Sequence, residues 1–173
     1  MQILALDLGT DTLSAVALGG EPALVDADTL GPAAGRLLDR RVAWRAFAVL
    51  GPVEAAAEML AFAVAGGLHA HDLAAARGAA FATVVVAQTA IAWACRSDRD
   101  APWQMGWGGN RLLVAAAVVE LLIAAVCLAV VPVADALEHA MAPATAWPVI
   151  VGGVLWHCCS PTGWTRGCFL RRG

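Results

Sequence analysis

Lysine is absent from this chain, and charge of either sign is scarce: 14% of its 173 residues are charged, against 60% that are hydrophobic. Soluble globular domains carry about 25% charged and about 45–50% apolar residues, so the composition sets a soluble domain aside. Intrinsic disorder is excluded for the same reason, because disordered chains are polar and charge-rich. All eleven basic residues are Arg; beside 14 acidic residues they leave a net charge of −3. A nucleic-acid partner therefore has no electrostatic footing. The five Cys, at 95, 127, 158, 159 and 168, are odd in number and show no CxxC spacing, so no disulfide framework is expected. His157, Cys158 and Cys159 have no second cluster at ligand spacing to complete a soft-metal site. There is no basic n-region at the start, and Asp7 interrupts the first apolar run, which argues against a secretory signal peptide. Also missing are a GxxxxGK[ST] loop, an HExxH pair and a GxSxG elbow.

What is present is a series of apolar runs. They cover Gln2–Gly19, Ala46–Leu68, Gly78–Cys95, Leu112–Val131 and Ala140–Cys159. Each is long enough to cross about 30 Å of hydrocarbon at about 1.5 Å per residue. Lipid offers no partner for a bare N–H or C=O, so such spans should be helices. The expected fold is all-α: a polytopic transmembrane bundle of about five spanning helices, occupying residues 1–160, with an atypical tail over 161–173.

The arginines orient that bundle. Arg36, Arg40, Arg41 and Arg45 lie between runs one and two; Arg96, Arg99 and Arg111 lie between three and four; Arg166, Arg171 and Arg172 follow run five. With five crossings all ten share one side, and only Arg77 falls on the other. The positive-inside rule then puts the N-terminus outside and the C-terminus in the cytoplasm. Trp44, Trp103, Trp107, Trp147 and Trp164 lie near span ends, where interfacial aromatic belts form.

A few polar groups interrupt the runs. One carboxylate at the bilayer centre costs about 2.5–3.5 kcal/mol, so Asp7 and Asp11 together would cost about 5–7 kcal/mol. Four residues apart, they share one face of a helix. Gly9 and Thr10 between them supply loosened backbone and a hydroxyl. Such an oxygen-rich set suits a hard cation; Asp7 solvated at the outer interface, with Asp11 paired to a neighbour, fits the spacing equally well. Glu54 and Glu58 repeat the four-residue spacing after Gly51-Pro52, where proline should kink the helix and free a nearby carbonyl. They read as a second polar patch or, in preference, as inward-facing carboxyls that hold helices together. Glu120, alone in run four, reads as an interhelical hydrogen-bonding group. Gln88 is either a carbonyl ligand of a cation or interhelical glue.

The segment Asp7-Leu-Gly-Thr10-Asp11, followed by Ser14-Ala-Val-Ala-Leu-Gly19, resembles the sixth transmembrane helix of cation-transporting P-type ATPases. The likeness continues in order. Arg36-Leu-Leu-Asp39-Arg40, Arg45-Ala-Phe and Gly51-Pro52-Val-Glu54 resemble the following loop and seventh helix. Ala82-Thr83, Gln88 and Arg96 resemble the eighth, and Asn110, Glu120 and Pro132 the ninth. The resemblance implies that Asp7, Thr10 and Asp11 face the transported cation, with Gln88 a weaker candidate and Asp7 and Asp11 the metal-ligating pair. Ser14 departs from the family pattern, which often has proline there. The family's DKTGT phosphorylation loop, TGDGxND hinge and nucleotide-binding domain are not in this sequence. ATP and Mg are thus expected only with the whole pump, and this chain alone should not hydrolyse ATP. The expected role is the C-terminal membrane fragment of a cation pump, partnered by lipid and by the missing N-terminal half. The alternative is a standalone small membrane protein that scaffolds or regulates another transporter.

Overall fold

The computed structural model describes residues 12–20, 40–69, 72–96 and 109–159, and within them every regular element is helical. In chain order these are α1 (Thr12–Gly19), α2 (Arg40–Trp44), α3 (Gly51–Val64), α4 (Leu73–Ala94), α5 (Arg111–Ala129), α6 (Val131–Ala136) and α7 (Trp147–Cys159). A π-helical stretch, Arg45–Leu50, joins α2 to α3, and a 3-10 turn, Gly67–His69, follows α3. Three helices are long and apolar enough to cross a membrane: Ala46–Val64, Leu73–Trp93 and Arg111–Ala129. The fifth apolar run is helical only from Trp147. Pro148 sits in the first turn of α7, a position that needs no N–H, while residues 137–146 connect α6 to α7.

Local chemistry explains where the helices start and stop. Asp72 caps α4 by accepting a hydrogen bond from Ala75 N at 3.0 Å, and Asn110 caps α5 through Leu113 N at 2.9 Å. After α3 the chain turns at Gly66, φ +92°, a backbone conformation that glycine adopts without steric cost. Around Pro52 the helix widens instead of breaking. Gly51 N bonds to Ala46 O, five residues back, and this π-turn makes room for a ring that would strike a carbonyl in a regular α-helix.

The packing is small inside and bulky outside. Helix α4 is central and packs against α1, α3, α5 and α7. Ala61, Ala76, Ala79 and Ala146 are all 0% exposed; small side chains let backbones approach closely where no hydrophobic force between helices operates. Phe47, Met59, Leu112, Val118, Leu122 and Val126 point outward, as expected of surfaces solvated by acyl chains. On α5 the buried set Leu113, Ala116, Ala117, Glu120, Ala124 and Leu128 forms one helical stripe. Glu120 sits in the middle of it.

Candidate functional site

One set of polar groups gathers where α1, α4 and α5 meet. Glu120 on α5 is 0% exposed, and a carboxyl so placed must find partners. Ser14 of α1 donates its hydroxyl proton to Glu120 Oε1 at 2.6 Å. Thr89 of α4 places its hydroxyl 3.3 Å from Oε2 and 2.9 Å from Val85 O of its own helix. One side chain thus ties three helices. A second tie lies further along the same pair: Asn110 Nδ2 donates to Ala17 O of α1 at 2.8 Å. Ala17 is 1% exposed and Asn110 3%.

Of the residues singled out from sequence, Asp7, Thr10 and Asp11 lie outside the described residues, immediately ahead of α1. Gln88 is half-buried on α4, next to Thr89. Glu54 and Glu58 are half-buried on α3, and helical spacing puts them on one stripe with the buried Ala61 and Ala65. The opposite face of α3 meets α7 in an apolar groove of about 560 Å³, with Pro52, Val53, Ala56, Gly152 and Gly153 in its walls. The carboxyls therefore belong to the bundle side of α3. Among the described residues no three His, Cys, Asp or Glu side chains converge as a metal cluster.

Sequence reasoning did not foresee the roles of Ser14 and Thr89. Ser14 stood out only as a departure from a proline-containing pattern, and Thr89 was not singled out at all. The available signal was a hydroxyl in each of two apolar helices together with one lone carboxylate in a third. In a medium without water those groups seek one another.

A second polar knot sits at the other end of α4. Positions 74, 77, 78 and 81 form one stripe, and the segment after α6 lies along it. Ala140 N donates to Ala74 O at 2.9 Å, and Arg77 Nη1 pairs with Glu138 Oε2 at 3.0 Å. The His139 ring stacks on Phe81 with centroids 5.1 Å apart and places Nε2 3.1 Å from Cys127 O. Glu138 holds φ +58°. The bonds Glu138 N to Asp135 O and His139 N to Ala134 O, both 3.0 Å, close α6 in a Schellman-type cap that requires this left-handed residue.

These features suit a membrane protein: an all-helical bundle with three helices long and apolar enough to cross a membrane, small-residue packing and polar ties buried between helices. The model of the C-terminus of cation-transporting ATPases matches residues 1–159, and the chain belongs to that family. No curated protein matches the chain.

Proposed function

We propose that this chain supplies the cation path of a P-type pump, with Asp7, Thr10 and Asp11 as ligands on its first span and Gln88 contributing from α4. The observation that carries this reading is the Asp-x-Gly-Thr-Asp segment joined directly to α1, which is itself tied to α4 and α5 through Ser14 and Glu120. Two carboxylates and a hydroxyl form a hard oxygen donor set. Their cost in lipid falls once a cation neutralises them. The remaining parts of the reading are five crossings of the cell membrane, an external N-terminus and a cytoplasmic C-terminus. The phosphorylation and nucleotide-binding steps belong to sequence other than these 173 residues, so no step of ATP chemistry is assigned here.

The test is cation binding by the full chain in lipid nanodiscs, with Mn²⁺ as probe and its free-ion paramagnetic resonance signal as readout. Asp11→Asn removes one charge with little change in shape and is expected to weaken binding at least about tenfold, since hard cations depend on ligand charge. Asp7→Asn should behave alike. Equal binding by wild type and both variants would overturn the assignment. If instead the chain stabilises another transporter and binds no cation, the scaffold reading takes its place.

A further inference from the structure

We infer that Glu120 is a positioning residue for the first span: by accepting the Ser14 hydroxyl, it fixes the rotation at which α1 presents the residues that precede it. This rests on the proposed cation path, because those residues are the ligands assigned there. Glu120 is 0% exposed, and both its oxygens face hydroxyls, Ser14 Oγ at 2.6 Å and Thr89 Oγ1 at 3.3 Å.

The geometry of a rotational lock is complete. Ser14 and Ala17 are three residues apart and lie on one face of α1. Glu120 holds the first, and Asn110 holds the carbonyl of the second at 2.8 Å. One tie would leave α1 free to swivel about it. Two ties on the same face, both to α5, fix rotation and axial position together. A slip of α1 by one residue turns its faces by about 100°. Ligand sets tolerate displacements of only about 0.5 Å, so affinity at the site proposed on the first span is expected to depend on that register. Glu120 thus acts on the cation through Ser14.

The experiment is Mn²⁺ affinity of the full chain in nanodiscs, with helicity checked by circular dichroism. Ser14→Ala and Glu120→Leu are each expected to weaken binding about tenfold, within the range by which residues outside a ligand set modulate a site. Their double mutant should be no weaker than Glu120→Leu, since that variant has already broken the Ser14–Glu120 bond. Ser14→Thr restores a hydroxyl and should recover affinity. Glu120→Gln keeps an acceptor for Ser14 without the charge, and should stay within about threefold of wild type. Wild-type binding that Ser14→Ala leaves unchanged overturns the inference alone and leaves the cation path standing. Binding abolished by Glu120→Gln but untouched by Ser14→Ala also overturns it, since Glu120 is then a direct ligand. A wild-type chain that binds no Mn²⁺ removes the cation path and this inference with it.

Discussion

Gly78→Ala is expected to detach the segment between α6 and α7 from α4 and to lower stability by about 3 kcal/mol, the upper end of the usual cost of overpacking. A Cβ at this position would lie 1.8 Å from Ala140 O and 3.0 Å from the Ala140 carbonyl carbon. The obstacle is backbone, which cannot rotate away as a side chain can. Ala140 is also held in place by its N–H bond to Ala74 O at 2.9 Å. The clash can therefore be relieved only by lifting the whole segment. That movement separates the His139 ring from Phe81 and opens the contact with Cys127 O. Arg77→Ala acts on the same contact surface and makes a sharp contrast. The Arg77–Glu138 pair is exposed, with 43% and 77% of the two side chains open to solvent, and exposed ion pairs contribute about 0–1 kcal/mol. Unfolding in mixed detergent micelles, with proteolysis of residues 135–145 as local readout, checks both. Gly78→Ala should expose the segment while Arg77→Ala leaves it protected. Equal protection in both variants would show that the segment is held by something other than its seat on Gly78.

The helical bundle was legible because its governing signal is one-dimensional. Apolar runs near 20 residues need no partner to be recognised, and Ala46–Leu68, Gly78–Cys95 and Leu112–Val131 each contain or overlap a helix long and apolar enough to span a membrane. Their ends were less legible, because caps are local. The run beginning at Gly78 starts as a helix at Leu73, where Asp72 caps it, and the apolar stretch from Ala140 becomes helical only at Trp147. Pro52 shows a different limit. Proline announces that a regular turn cannot form, yet whether the chain answers with a break or with the π-turn over Arg45–Leu50 depends on its surroundings. The site was legible in composition but not in pairing. Glu120 stood out as a charge in lipid, but the Ser14 hydroxyl that meets it lies 106 residues away in sequence. No local pattern encodes such a distance. Gly78 was invisible for the same reason, since its close approach to Ala140 exists only in three dimensions.

Asn110→Asp should separate two tasks that Asn110 performs with one side chain, at an expected cost of about 2–3 kcal/mol, the penalty of leaving buried polar groups mismatched. Oδ1 accepts from Leu113 N at 2.9 Å and starts α5, while Nδ2 donates to Ala17 O at 2.8 Å and holds α1. Asp caps helices about as well as Asn, so the first task survives the substitution. The second does not: the amide donor becomes a carboxylate oxygen facing a carbonyl oxygen at a site 3% exposed. Ala17 O retains Gly20 N at 3.2 Å, so the carbonyl keeps one donor, and the cost falls on the contact between helices. Asn110→Ala removes cap and tie together without adding repulsion. If capping were the whole role, Asp would be nearly neutral and Ala would cost about 1 kcal/mol. If the tie to α1 dominates, Asp is at least as damaging as Ala. The order of the two variants in detergent unfolding decides between these outcomes, and the tie predicts Asp at or below Ala. A cysteine pair placed across α1 and α5 should then cross-link less efficiently in Asn110→Asp than in wild type. The same loss of register would weaken the lock that Ser14 and Glu120 complete, because two ties to α5 fix the rotation of α1 and one does not.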